Sequence, residues 1–334
     1  MIPLRTLARA AAVVLLAAAG IRWFAWRRHR RGPVEVRASR HVELPPNETG
    51  KGLALLVNAD AGSADDAGVD LRSLFPDADV TVLDDPTHLT AALERAREQP
   101  GVVALGAAGG DGTLSAAAAV ATDAGLPLVA IPGGTLNHLA RDLGLESPED
   151  AVVAVQRGDA VEVDLATIDG RTFLNTASFG SYADLVDARE ALENQIGKWP
   201  AVGVAAVRVL RRGNPLEVEI DGERRPVWMS FIGNCRYQPD GFAPSRRVRL
   251  DDGQLDVRVI YADHPWCRTR LVLGLLTGRL GRSPVYRQWV TRSVTVRSVD
   301  GPLRLAADGE TFDGDEEVTI AKSGHRLAVY TSAT

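Results

Sequence analysis

Of the 38 basic residues in this 334-residue chain only three are lysine: Lys51, Lys198 and Lys322. None lies in a GxxxxGK[ST] pattern, so a Walker-type phosphate loop is excluded. There are two cysteines, Cys235 and Cys267, and no CxxC spacing. That removes a disulfide framework and a cysteine zinc site, and fits a reducing compartment. A surplus of positive charge is also missing. The net charge is −5 and the pI about 5.8, so no nucleic-acid partner is expected. No internal repeat is visible. Hydrophobic residues at 45% and charged residues at 24% describe a folded chain with a packed core, long enough for two domains.

Long hydrophobic runs are lacking too. The longest uncharged stretch near the start, Ala10 to Ile21, has twelve residues, where a span needs roughly 20. Continuing through Trp23, Phe24 and Trp26 lengthens it, with Arg22 snorkelling toward the interface. Arg27, Arg28, His29, Arg30 and Arg31 follow and should stay on the cytoplasmic side. In a signal peptide the charges normally precede the apolar stretch; an Ala-rich frayed helix is the plain alternative. We read residues 1–31 as a membrane tether, spanning or interfacial, that holds the body at the cytoplasmic face of the inner membrane. Residues 32–51, with Pro33, Pro45, Pro46 and Gly50, read as a linker.

From Leu53 onward short apolar strands alternate with helices. "LALLVN", "DVTVLDD", "GVVALGAAGGDG" and "LPLVAIPGGT" are the strands. A short segment ending near Phe75, "THLTAALERAREQ", "TLSAAAAVATDAG" (stopped by Gly125) and "LNHLARDLG" are the helices. Apolar strands alternating with helices predict an α/β domain with a parallel sheet covered on both faces. In such sheets ligands bind at the carboxyl ends of the strands. After Val161 the pattern becomes mostly extended, with DG and Gly/Pro turns and helical segments near 187–212 and 267–280. A second, mostly antiparallel β-sandwich-like domain is expected over 161–314.

The glycines and acids fall in a pattern. Two glycine turns close adjacent strands: Gly109, Gly110, Gly112 and Thr113 in the first, Gly133, Gly134 and Thr135 in the second. Each opens a helix, where free backbone N–H groups and hydroxyls can bind phosphate. Asp111 sits inside the first turn. A carboxylate aimed at phosphate is repulsive unless a divalent cation intervenes, so the turn suggests Mg²⁺-nucleotide. Read alone, Asp111-Gly112 could equally be a tight turn or a helix cap. Asn137, just after the second turn, is either a nucleotide- or substrate-orienting residue or an ordinary first-turn residue.

"GGDGT" followed by "PGGTLNHLARDLG" resembles the catalytic domain of the diacylglycerol kinase-like lipid kinases, in particular the bacterial diacylglycerol/sphingosine kinase-related group. "VNADAGS" resembles that family's first-strand turn, with Asn58, Gly62 and Ser63 in place and Ala59 where proline is usual. "ADGE" (307–310) resembles its catalytic Asp-Gly-Glu, and "LDDGQLDV" (250–257) an acidic turn that binds a structural Mg²⁺. "ARE" (188–190) and "GKWPA" (197–201) look like segments of some bacterial members. The likeness runs from Leu53 to the end of the chain. It departs from the pattern at Ala116, where a glutamate is common, and at His138, where Asn-Asp is commoner.

The resemblance implies transfer of the ATP γ-phosphoryl group to a hydroxyl of diacylglycerol or a related membrane lipid, with ATP and Mg²⁺ as cofactors. It implies a nucleotide-binding domain over 52–160, joined by returning strands at about 315–334. Nucleotide would be held by Asn58, Gly62, Ser63, Gly109, Gly110, Gly112, Thr113, Gly134, Thr135 and Asn137. Asp111 would hold the catalytic Mg²⁺. Asp308 and Glu310, if extended, share one face and divide base and metal work; read alone, Asp308-Gly309 could equally be a hairpin turn. Asp252, with carbonyls of Arg249 and Gln254, would hold the structural ion; read alone, it could equally belong to a type I′ turn. The similar triplet at 220–223 lies in a plain hairpin pattern. A catalytically weak or inactive regulator of the same fold and an NAD kinase-like enzyme are the alternatives; a homodimer is left open.

Overall fold

The computed structural model of the protein describes residues 39–58, 71–83, 85–134, 137–180, 214–238, 246–277 and 279–332. The expected tether, the segment 187–212 with its "ARE" and "GKWPA", and Gly62, Ser63 and Thr135 lie outside the described residues.

The first half is built from β1 (His41–Glu43), β2 (Leu53–Asn58), β3 (Asp79–Leu83), β4 (Ala104–Gly109) and β5 (Leu128–Pro132). Its helices are α1 (Leu71–Leu74), α2 (Leu89–Arg97), α3 (Asp111–Ala124), α4 (His138–Asp142) and α5 (Pro148–Arg157). The second half contains β6 (Asp159–Ile168), β7 (Arg171–Phe173), β8 (Thr176–Phe179), β9 (Leu216–Ile220), β10 (Glu223–Asn234), β11 (Tyr237–Gln238) and β12 (Arg246–Arg247). It continues with β13 (Leu255–Tyr261), α6 (Cys267–Thr277), β14 (Tyr286–Thr291), β15 (Ser293–Ser298), β16 (Arg304–Ala307), β17 (Glu310–Asp313) and β18 (Glu317–Tyr330).

β3, β2, β4 and β5 form a parallel sheet. β4 and β5 are buried throughout, because helices cover both faces of a parallel sheet. α3 lays Leu114, Ala117, Ala118 and Ala121 into this core. Gly125, at φ 65, ends that helix in the left-handed conformation that glycine adopts without steric cost. The remaining strands pair antiparallel, and one sheet runs β17-β16-β8-β10-β9-β15-β18-β5-β4-β2-β3 through the molecule.

Among the described residues two large hydrophobic cores result, and two long strands join them. β18 gives Val318 and Ile320 to the antiparallel core and Leu327, Val329 and Tyr330 to the parallel one. Its Val329 pairs in parallel with Leu128 of β5. β6 pairs with β18 and makes the same passage.

Two features depart from the sequence reading. The assigned linker is not all linker: His41, Val42 and Glu43 pair with Val161, Ala160 and Asp159, although three residues of alternating pattern are too few to read as a strand beforehand. α5 has no counterpart in the expected elements, yet its signals are there. Ser147 and Asp150 form a capping box, Pro148 opens the helix and Gly158, at φ 75, closes it. A methyl group at Gly158 would sit 2.1 Å from the carbonyl oxygen of Leu44, so glycine is required there. Among the described residues no helix is long and apolar enough to cross a membrane.

Candidate active site

Parallel pairing of β4 with β5 sets Gly109 beside Pro132, which brings the two glycine turns together at the carboxyl edge of the sheet. Gly133 N–H donates to the Gly109 carbonyl (3.0 Å). The approach is close enough that a methyl group at Gly134 would lie 2.5 Å from Gly110 Cα, and one at Gly133 2.8 Å from Gly109 N. Only glycine permits two backbones to meet this way.

The first intrahelical bond of α3 runs from Leu114 N–H to the Gly110 carbonyl (3.0 Å), and no side chain caps the helix. The N–H groups of Asp111, Gly112 and Thr113 therefore point out of a 14-residue helix and are placed to bind an anion. Thr113 is buried, its Oγ1 packed over Gly109. The second turn differs: Gly134 N–H is taken by Asn137 Oδ1 (2.8 Å). Asn137, at φ 47, is the residue before α4, so it shapes the turn it follows. Asn58 ends β2 at the same sheet edge.

Asp111 is half-buried. Its Oδ1 accepts hydrogen bonds from His138 N–H (2.8 Å) and Asn175 Nδ2 (3.2 Å). Burial raises its pKa above the usual carboxylate range; the N–H donors of Leu139 and His138 and the charge of Arg247 oppose the rise without cancelling it. The half-buried carboxylate stands at the start of α3 beside the free N–H groups, where a divalent cation would lie between it and a phosphate.

From the antiparallel half, Glu310 reaches the same turn: a methyl group at Gly112 would meet Glu310 Oε1 at 2.6 Å. Glu310 is exposed, held at the start of β17 by the β16–β17 hairpin. Asp308 does not share its face, which corrects the expectation of an extended pair. Asp308 (φ 47) and Gly309 (φ 93) form the hairpin turn itself. The Asp308 carboxylate points inward, where Oδ2 accepts from Leu174 N–H (2.7 Å) and Oδ1 from Asn175 N–H (2.8 Å) and Thr176 N–H (2.9 Å). Ser115 of α3 adds its hydroxyl. Burial raises the Asp308 pKa and these donors pull it down. Its function is to fix the β7–β8 connection under the site. The triplet at 220–223 is the connection between β9 and β10, and Glu223 pairs there with Arg225 and Arg287.

Sequence reasoning missed Asn175 and Arg247. Asn175 links the two acids: it donates to Asp111 through Nδ2 and to Asp308 through its backbone N–H. Its Oδ1 accepts from Arg247 Nη2 (2.9 Å). Arg247 is fully buried, paired with Asp142 of α4 (2.7 Å) and donating to the Leu174 carbonyl (2.6 Å). One guanidinium thus ties the helix after the second glycine turn to the strand connection beneath Glu310. The asparagine in "FLNTAS", polar within an apolar strand run, was the available signal. Arginine is usually exposed, so nothing in "SRRVRL" told that Arg247 is inside.

At the residues assigned to the structural ion the structure shows other bonds. Asp252 accepts from Arg236 N–H (2.8 Å) and Gln254 N–H (2.9 Å), while the Gln254 carbonyl accepts from Cys235 N–H (2.9 Å). The Arg249 side chain is held by Asp251. Asp164, Cys235 and Asp252 do bring ligand atoms within 4.8 Å of one another, but the cluster holds its own cation. Lys322 Nζ lies 3.2 Å from Asp164 Oδ2, 3.5 Å from Cys235 Sγ and against Asn234 Oδ1. Arg326 Nε (3.0 Å) and Gly253 N–H (2.6 Å) complete Asp164. Burial pushes the Cys235 thiol up to about 12, so it stays neutral. Chelation of divalent ions is accordingly expected to leave the Tm of the nucleotide-free protein unchanged, whereas Lys322→Met lowers stability by about 1–3 kcal/mol. A Tm that falls with chelator and recovers with Mg²⁺ would reverse this assignment.

A second consequence concerns Asp111. With its folded pKa above the unfolded value, stability associated with it is full below the unfolded pKa and is lost as pH rises through the folded pKa. Asp111→Asn keeps an acceptor for the α4 N–H groups without the buried charge. Melting in metal-free buffer at pH 7 should give a Tm at or above wild type, converging as the pH falls through the native pKa. A Tm several degrees lower would contradict the assignment.

Comparison with known proteins fits this geometry. A model of the diacylglycerol kinase catalytic domain matches residues 52–168. A Pseudomonas syringae pv. tomato protein named "Probable lipid kinase YegS-like" is 31% identical over 229 residues, 65% of this chain and 72% of that protein. The chain belongs to the diacylglycerol kinase-like lipid kinase family. The uncharacterized protein sll0036 of Synechocystis sp. is 29% identical over 256 residues, 72% of this chain; the chain spans 59% of that protein's length. In fold, the chain is similar to a diacylglycerol kinase from Bacillus anthracis str. Sterne, with TM-score 0.59 and 19% identity, covering 85% of this chain and 98% of that one. Another Bacillus anthracis structure reaches TM-score 0.64 at 22% identity with the same coverage.

Proposed function

We propose that this lipid kinase-family protein transfers the γ-phosphoryl group of ATP to a hydroxyl of diacylglycerol or a related lipid. The observation that carries the reading is the meeting of Glu310 with Gly112, at the uncapped start of α3 and beside the second glycine turn. The N–H groups of Asp111, Gly112 and Thr113 would bind phosphate oxygens, and the Gly110–Gly134 contact would fix the curvature of the cradle. Asp111 would hold Mg²⁺, which when bound neutralises phosphate charge.

Glu310, outside the core and within reach of the cradle, would accept the lipid hydroxyl proton as the oxygen–phosphorus bond forms. The bond from the γ-phosphorus to its bridging oxygen breaks, and ADP leaves. Asp308, Asn175 and Arg247 act from beneath, by holding the strand connection that sets Glu310 against α3. Residues 1–31, read from sequence, would keep the enzyme at the cytoplasmic face of the membrane, where tethering raises the effective concentration of a bilayer substrate.

Labelled ATP offered with diacylglycerol, a sphingoid base, ceramide and NAD tests the reading. Label on a lipid supports it. ATP binding with transfer to none would make the protein a regulator of the same fold, and transfer to NAD would move it to another substrate class.

A further inference from the structure

We propose that the outer face of α6 docks on an anionic phospholipid surface. Residues 264–299 contain seven arginines and no acid, in a chain whose net charge is −5. Arg287 pairs with Glu223 and Arg297 with Glu317, while Arg268 lies over the Trp228 ring. Arg270, Arg279 and Arg282 are exposed, and among the described residues no carboxylate pairs with them.

The inner side of α6 is accounted for. Leu271 packs with Trp228, Ile260, Leu280 and Tyr286 in a small separate core, and Gly274 lets Leu280 approach. Among the described residues the outer side carries Arg268, Thr269, Arg270, Leu273 and Thr277, so one large apolar side chain stands among basic and polar ones. Trp266 is 78% exposed and Leu273 55% exposed. Trp266, at φ 61, immediately precedes the helix, and its carbonyl accepts from Arg270 N–H (2.9 Å); Leu273 follows Arg270 by three residues on the helix.

An exposed tryptophan and leucine among unpaired arginines match the interface of an anionic bilayer: the rings sit at headgroup level and the guanidinium groups meet lipid phosphate. A protein partner of the same charge complementarity would need an acidic surface with a pocket for Trp266. The patch is also connected to the acidic site. β10 carries Trp228 near its middle and Gly233 one residue from its end; Gly233 pairs with Thr176, whose N–H binds Asp308. Five strand residues separate them, about 17 Å. The inference rests on the surface, not on the kinase chemistry.

The test uses the full chain with Cys267→Ser and Thr269→Cys, labelled at residue 269 with an environment-sensitive dye; Cys235 is buried. Vesicles containing phosphatidylglycerol should raise the dye emission at least twofold, and pure phosphatidylcholine vesicles should not. Combining Arg270→Glu, Arg279→Glu and Arg282→Glu should abolish the response and weaken the vesicle partition measured through it at least about tenfold, with Tm unchanged. Vesicle binding without a dye response, or an equal response on neutral vesicles, would overturn the proposal. A response that grows with protein concentration in the absence of lipid would assign the face to a second copy and overturn it as well. If no lipid is phosphorylated yet the dye responds, the kinase reading falls and the docking face stands.

Discussion

Glu310→Gln is expected to cut the rate of lipid phosphorylation by about 10²–10⁴-fold, the usual worth of a positioned general base, and to leave Tm within a degree or two of wild type. The amide keeps the shape of the side chain but cannot accept the proton. Glu310 lies exposed at the head of β17, so its charge contributes little to folding. Asp308→Asn should behave in the opposite order. The Asp308 carboxylate accepts three backbone N–H groups inside the protein, and an amide NH₂ turned toward those donors leaves at least one of them unpaired, at about 1–3 kcal/mol each. Tm should fall, and activity should fall with it because the Leu174–Thr176 connection carries Asn175 and supports the hairpin. Measuring kcat and Tm on both variants separates the roles. A Glu310→Gln enzyme with normal kcat, or an Asp308→Asn enzyme with normal Tm and no activity, would exchange the two assignments.

Gly134→Ala should weaken nucleotide binding strongly. Its methyl group would meet Gly110 Cα at 2.5 Å and Gly110 N at 3.3 Å. Both are backbone atoms at the end of a fully buried strand, so no side chain can turn aside, and the two turns must separate. Overpacking of this kind costs about 1–3 kcal/mol, and displacing the α3 N-terminus from the phosphate path should weaken ATP binding at least about tenfold. Gly324→Ala is the control: a methyl group there meets nothing within 4 Å, so binding and Tm should both stay at wild type. Calorimetric titration of ATP into the two variants checks the contrast; unchanged affinity in Gly134→Ala would show that the turns do not act together.

The sequence revealed some of this and concealed the rest for identifiable reasons. β2, β4 and β5 are short, apolar and bounded by glycine, and their register puts both glycine turns at one edge; that signal is local and was readable. Gly125 announced the end of α3 in the same way. Asp308 was misread because an Asp-Gly can be a turn or part of a strand, and which one depends on the N–H groups of residues more than 130 positions away. Arg247 and Asp142, 105 residues apart, are paired only by the folded chain. Lys322 stands 88 residues from Asn234 and pairs with Asp164, beside the turn assigned to an ion. Charges that neutralise one another across the fold leave no local pattern.

The most direct test of the central claim is a structure of the protein with Mg²⁺ and a non-hydrolysable ATP analogue. The account predicts phosphate oxygens within hydrogen-bond distance, about 3 Å, of the N–H groups of Asp111, Gly112 and Thr113, with the γ-phosphate facing Glu310. A triphosphate bound away from the Gly110–Gly134 contact, or a γ-phosphate turned from Glu310, would contradict it.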